Sequence, residues 1–127
     1  MNKDNLNWRL PDKEELNLMY GNLHLKGVGR FTDEYYWSLS ELDSNFAWFQ
    51  NFNNGCQYDF YKYYDARVRA VRTYKPKGDF EIGQETESGF VFDIQRNTVF
   101  ECKKEDEPYE MFWYDAMQEF DNQGVNK

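Results

Sequence analysis

The run Tyr58-Asp59-Phe60-Tyr61 constrains this chain more than any other segment. Successive side chains of a strand point to opposite faces, so a strand there cannot bury all of them on one side, and some of these rings must meet solvent. The surrounding stretch from Tyr35 to Arg72 has the same character. Trp37, Trp48, Gly55, Val68, Arg69, Val71 and Arg72 read as a rigid frame, while Tyr58 to Tyr61 and Tyr63-Tyr64-Asp65 read as presented surface. Tyrosine combines a large contact area and a polar tip with only two torsions to immobilise, which suits it to binding surfaces. A cluster of exposed aromatics marks an interaction site.

The 127 residues are enough for one domain with a real core. Aromatics make up 20% of the chain, so that core is expected to be built from Trp, Phe and Tyr, whose polar tips need partners. The formal charge of -8 works against nucleic acid and other polyanions, which require a concentrated positive face. Arg67, Arg69 and Arg72 form the one basic cluster and read as structural, tied to interior carbonyls and carboxylates. A protein or a neutral glycan is the expected partner. The N-terminus carries no apolar signal core, and no stretch approaches the roughly 18 apolar residues of a membrane helix, so no membrane insertion is expected and any export must be arranged elsewhere. Cys56 and Cys102 share no metal-ligand spacing and are read as free thiols, and no metal or cofactor is expected.

Asp12 with Glu15 matches a capping box, and Leu16, Met19 and Tyr20 recur at helical spacing before Gly21, which predicts a helix from Asp12 to Tyr20. Trp113, Ala116, Met117 and Phe120 share a face and predict a second helix over Phe112 to Phe120, with Gly124 beyond its end and the last seven residues frayed. Between them lie strand-like runs and turn signals, the mark of a mostly antiparallel sheet in an α+β domain. Val68 to Tyr74 and Phe80 to Gln84 are expected to form a hairpin around Pro76 to Gly78, extended by Phe90 to Ile94 and Thr98 to Lys103. Period-2 alternation in Phe46 to Phe52 separates Trp48, the expected core residue, from Phe49, the expected surface residue.

Trp8-Arg9-Leu10-Pro11, Tyr36-Trp37-Ser38, Ala47-Trp48, Asn54-Gly55 and Arg67-Val68-Arg69-Ala70-Val71-Arg72 occur in that order. Together they resemble a bacterial and phage family of C-type-lectin-like domains typified by the C-terminal domain of a collagen-like adhesin, distantly related to formylglycine-generating enzymes. In that family a Gly-x-Val-Phe strand and a helix opening Trp-x-Asp-Ala come first. Here Ser88-Gly89-Phe90-Val91-Phe92 and Trp113-Tyr114-Asp115-Ala116 come last, so the chain looks circularly permuted. Residues 1–74 resemble the family's C-terminal block and 80–127 its N-terminal block, joined by a turn at 75–79. The resemblance implies that the first and last strands lie side by side, so that this turn joins them into a hairpin. A misphased piece of a tandem array would give the same order of motifs.

The same resemblance bears on function. Formylglycine-generating enzymes use paired cysteines with copper, a pairing that Cys56 and Cys102 do not suggest. His24 is the single histidine and reads as a loop residue, and no carboxylate pair stands out for acid and base roles, so no catalytic residue is expected. The sugar-binding triplets of calcium-dependent lectins are missing. Some similar proteins are the variable proteins of diversity-generating retroelements, in which template adenines are randomised. Alignment to them places candidate variable positions at Leu42, Asp43, Ser44, Phe46, Phe49, Cys56, Tyr58, Asp59, Phe60, Tyr61, Tyr63, Tyr64, Asp65 and Ala66. Every one can arise from an asparagine codon by changing adenines alone, and fixed-looking Gln50, Gln57 and Lys62 interrupt the run. The implied function is non-catalytic recognition or adhesion through Phe46, Phe49, Cys56 and the Tyr58 to Asp65 segment, on a frame of Trp8, Arg9, Trp37, Trp48, Gly55, Arg67, Arg69, Arg72 and Trp113. A module that self-associates through the same face is the alternative, and an enzyme a third.

Overall fold

The structure is a computed structural model that describes residues 7–124, the last four by their backbone. It is an α+β arrangement of two α-helices and two small antiparallel sheets. Helix α1 spans Lys13–Asn22 and opens on the expected capping box: the Glu15 N–H donates to Asp12 Oδ1 at 2.8 Å and the Asp12 N–H to Glu15 Oε1 at 2.9 Å. It does not stop at Gly21. The fully buried Leu23 caps it through an N–H bond to the Met19 carbonyl, and Asn22 Nδ2 reaches the Phe92 carbonyl at 2.9 Å, so tertiary contacts carry the helix past the glycine. A 3₁₀ turn at His24–Lys26 follows.

Strands β1 (Tyr35–Glu41), β2 (Phe46–Asn51) and β3 (Gln57–Tyr61) form the first sheet in the order β1-β2-β3. Strands β4 (Val71–Tyr74), β5 (Gly89–Gln95) and β6 (Thr98–Lys103) form the second in the order β4-β6-β5. Helix α2 spans Trp113–Gly124, so Gly124 is its last residue, and residues 121–123, expected to fray, are helical; 125–127 lie outside the described residues.

The β5–β6 hairpin forms as expected, but the one across Pro76 does not. Residues 80–84 belong to no strand, and β4 pairs instead with β6, from Val71 opposite Cys102 to Tyr74 opposite Val99. That register sets Arg72 directly against the fully buried Glu101, at 2.9 Å, whereas Glu81, the carboxylate that residues 80–84 carry, is exposed. Since β6 separates β4 from β5, the 75–79 turn does not join neighbouring strands. The expected strand from Val68 begins only at Val71; before it, Ala66 bridges to Met111 and Arg67 to Tyr36.

Two apolar clusters fill the interior. One gathers Leu10, Trp37, Ala47, Phe49, Val68, Trp113, Ala116 and Phe120, and the other Leu16, Met19, Leu23, Tyr36, Phe52, Val71, Phe90 and Phe92. Residues from both sequence blocks meet in each, and the second sheet is built from both.

The expected roles of Trp48 and Phe49 are reversed. Phe49 is 3% exposed, opposite Trp37 in β1, on the face that α2 covers with Trp113 and Ala116. Trp48 is only partly buried, on the opposite face, with Lys13 Nζ 3.8 Å from its ring centroid. Alternation separates two faces but does not say which one a helix will cover by its larger apolar surface.

Candidate functional site

The β2–β3 turn holds the site in place. Gly55 has φ +82, and a Cβ there would lie 2.5 Å from the Tyr20 ring, so only glycine allows this turn to rest on α1. Beside it, buried Gln50 donates from Nε2 to Asn17 Oδ1 (3.0 Å) and to the Gly55 carbonyl (3.1 Å), while Gln57 Nε2 donates to the Lys13 carbonyl (2.7 Å) and to Gln50 Oε1 (3.0 Å). At the far end of β3 the chain is pinned again. Lys62 is 1% exposed, with Nζ 2.9 Å from Glu41 Oε1 and 4.3 Å from the Trp113 ring centroid. The residues that interrupt the aromatic run are therefore polar anchors, Gln50 and Lys62 buried and Gln57 partly so.

Everything between the anchors faces out. Tyr58, Asp59, Phe60, Tyr61, Tyr63, Tyr64 and Asp65 are all exposed, Tyr61 to 58% and Tyr63 to 68%. Cross-strand pairing puts Tyr58 and Phe60 on the face of Phe49 and Ala47, and Asp59 and Tyr61 on that of Trp48 and Phe46. On the first face Phe60 stacks over Phe49 with centroids 5.4 Å apart, Tyr64 meets Phe60 edge-on at 4.7 Å, and Tyr35 stacks on Phe49 at 4.3 Å. On the second, Tyr61 stacks on partly buried Phe46 at 4.8 Å. Each exposed ring here is propped by another while keeping a free side.

Among the other sequence candidates, Cys56, Leu42, Asp43 and Ser44 are exposed, the last three beside the segment because the Lys62 N–H donates to the Asn45 carbonyl at 3.0 Å. Two candidates are corrected. Phe49 and Ala66 are buried, at 3% and 2% exposure, so Phe49 supports the face from beneath and Ala66 adds no exposed side chain to it.

The frame is held by polar pairs, the most deeply buried of them at Arg69. Arg9 forks onto Glu15 at 2.7 and 2.8 Å, Arg67 pairs with Glu34 at 2.5 Å, and fully buried Arg69 donates to Asp106 and to the carbonyls of Gly29, Arg30 and Lys103. Arg69 and Arg72, the latter on buried Glu101, fit the structural reading of the arginine cluster, whereas Arg67 pairs with exposed carboxylates. Trp37 Nε1 donates to the Met111 carbonyl and Trp113 Nε1 to the Ser38 carbonyl, while partly buried Trp8 lies near the Arg72 guanidinium.

Sequence reasoning missed Phe112 and Tyr114, exposed to 37% and 43%. Both rings sit 5.7 Å from that of Tyr63, and the Tyr114 hydroxyl donates to the Ser44 carbonyl, which extends the face onto the start of α2. The signal was available: Phe112, Trp113 and Tyr114 are consecutive, and burying Trp113 turns its neighbours away.

Beside Tyr64 opens a cleft of about 280 Å³ lined by Tyr35, Asn51, Asn53 and Ala66 and by the acidic residues Asp33, Glu34, Asp65 and Glu110. Arg67 holds the Glu34 carboxyl below the usual range and lies 3.7 Å from Glu110, and His24 meets Asp33 at 2.7 Å. Asp65 has no cationic partner among the described residues.

The thiols lie in different parts of the fold. Exposed Cys56 precedes β3 and raises the Tyr58 phenol by hydrogen bonding to it, whereas Cys102 is buried in β6, where desolvation pushes its thiol up to about 11. Among the described residues no group of three or more His, Cys, Asp and Glu is arranged to hold a metal ion, and no helix is long and apolar enough to cross a membrane. No protein-family model, no curated protein and no solved structure matches this chain.

Proposed function

We propose that this protein is a recognition module that binds a macromolecular ligand through the aromatic face of β3 and the loop after it, on a C-type-lectin-like framework whose two sequence blocks are circularly permuted. One observation carries the binding reading. Between Gln57 and Asp65 the polar Lys62 is buried and the aromatic residues are exposed, the inverse of what folding by itself would select. Exposing tyrosine and phenylalanine around a fixed, hydrogen-bonded frame costs hydrophobic stabilisation and is repaid when a partner covers the rings. The framework reading is supported by the motifs' Trp37, Arg69 and Trp113, which are buried and hydrogen-bonded to backbone carbonyls. Diversification by a retroelement accounts for the exposure of most candidate variable residues on β3, the loop after it and Leu42 to Ser44, while Gln50 and Lys62 are buried.

The test is to sequence the encoding gene deeply across its source population and to read the flanking DNA for a near-copy repeat and a reverse transcriptase. We expect substitutions at the exposed positions from Tyr58 to Asp65 and at Leu42 to Ser44, with Gln50, Lys62, Arg69 and Trp113 constant. Replacements at buried Phe49 should be apolar or infrequent. A uniform gene without a repeat removes the retroelement, and an aromatic face that tolerates charged replacements with ligand capture intact removes the binding reading.

A further inference from the structure

The polar groups of the β3 backbone say what kind of ligand the aromatic face takes, an argument that rests on the binding reading above. In an antiparallel ladder, hydrogen-bonded pairs alternate with pairs whose N–H and C=O groups point away. The bonds from Asn51 N–H to the Cys56 carbonyl and from Lys62 N–H to the Asn45 carbonyl fix the phase, so that Phe60 with Ala47 and Tyr58 with Phe49 are the bonded pairs. The N–H and C=O groups of Gln57 and Asp59, and the N–H of Tyr61, therefore project from the free side of β3. Among the described residues no strand or bridge pairs with that side. Proteins usually protect such an edge with lysine, proline, a bulge or a covering loop. Residues 57–61 contain neither Lys nor Pro and pair with β2 without a register shift, and rings flank the edge on both faces. An open backbone edge between side-chain pockets is how strand addition recognises an extended segment.

Charge decides between occupants. A second copy added symmetrically about Asp59 would oppose that carboxylate with its own twin, which is destabilising, and would bring together two chains of formal charge -8. A basic segment faces the reverse situation. Asp59 lies on the edge itself, and the acidic cleft opens beside Tyr64, which packs against Phe60. The nearby cations are already engaged, Lys62 by Glu41 and Arg67 by Glu34. A lysine or arginine side chain entering the cleft would meet the Asp65 carboxylate and the Tyr35 and Tyr64 rings, a carboxylate-plus-aromatic environment suited to a cation.

We propose that β3 takes an extended, Lys- or Arg-bearing polypeptide segment as an added strand, with the cationic side chain seated in the cleft at Asp65. The test is selection of random nine-residue peptides displayed on phage against the purified protein, followed by binding measurements on synthetic copies of the winners. The expected winners lack proline, carry Lys or Arg at one fixed position and bind less tightly as salt rises. Asp65→Asn should weaken them roughly tenfold or more, as should N-methylation of alternate peptide amides, which removes strand hydrogen bonds without changing charge. Winners without a basic residue, or indifferent to Asp65→Asn or to N-methylation, overturn the inference, as does a library that yields none. Tyr61→Ala and Tyr63→Ala separate this failure from failure of the binding reading: neutral winners lost in these variants leave the aromatic face as a binding site, whereas winners unaffected by them count against both.

Discussion

The two sheets treat the same kinds of residue in opposite ways. In β5, Gly89 to Phe92 are all buried, and in its neighbour β6 Glu101 is fully enclosed, meeting Arg72, Ser88, the Tyr74 hydroxyl and, closely, Thr86. In β3 every residue from Tyr58 to Tyr61 is exposed, and the rings that could fill a core are spent on the surface. One sheet satisfies its polar groups internally and presents little, whereas the other presents apolar rings and an unpaired edge. Stability and recognition are thus divided between sheets, and the division should be visible in mutational cost.

The largest expected effect is on the enclosed side. Arg69→Met removes a guanidinium that serves three carbonyls and Asp106, leaving buried acceptors without donors, and should cost about 3–5 kcal/mol in urea unfolding. Phe49→Ala should cost a similar ~3–5 kcal/mol although it lies in the candidate segment, because it empties the base of the aromatic stack. A cost under about 1 kcal/mol for Phe49→Ala would return it to the surface and dissolve the contrast between the strands.

An intermediate effect is expected at Lys62, where presented loop and core meet. Lys62→Ala leaves a cavity against Trp113 and deprives Glu41 of its partner, for about 2–3 kcal/mol, while Lys62→Met keeps the packing and should recover part of it. Equal losses would assign the whole contribution to the charge.

How far these features are legible in sequence follows from the same contrast. The capping box of α1, the β5–β6 hairpin and the exposure of Tyr58 to Tyr61 rest on local rules, and each formed. The failures are tertiary, apart from Phe112 and Tyr114, whose exposure beside Trp113 was readable locally. Strand alternation could not tell Trp48 from Phe49 because the choice depends on where α2 lies. The Pro76 hairpin failed because β4 found Arg72 a buried partner in Glu101, 29 residues away in sequence. Gly21 did not end α1 because Leu23 is packed beyond it. Lys62 looked like a fixed residue in the sequence, but not like a buried cation, since nothing local announces Trp113 beneath it. The acidic cleft combines residues 33–35, 51–53, 64–66 and 110, a grouping that only the fold creates.

A smaller effect concerns pH. Glu119 hydrogen-bonds to Glu107, and sharing a proton with that carboxylate, reinforced by partial burial and opposed by Lys103, raises its pKa from 4.5 to about 7. The folded state therefore holds more protons than the unfolded chain across this window, so stability is full below about pH 4.5 and falls as pH rises towards about 7. Glu119→Gln should flatten that decline, with the variant unfolding at higher temperature than the parent at pH 8 and the two converging at pH 4. Parallel pH profiles would show that the pair does not share a proton.

The smallest effect on stability is the one that most sharpens the comparison. Tyr61 and Tyr63 expose more than half their surface, and the rings that Tyr63 meets, Phe112 and Tyr114, are themselves exposed, so truncating it removes little buried area. Tyr63→Ala should change unfolding free energy by less than about 0.5 kcal/mol, and Tyr61→Ala by somewhat more because it uncovers Phe46. Set against the cost at Phe49, one strand away, such values would mean that folding does not require these rings. Residues that folding does not require, yet which are large, apolar and held in position by buried Gln50 and Lys62, answer to something outside the fold. A loss of 2 kcal/mol or more at Tyr63 would instead make the aromatic face part of the core, and the exposed edge of β3 would lose its claim to be a binding surface.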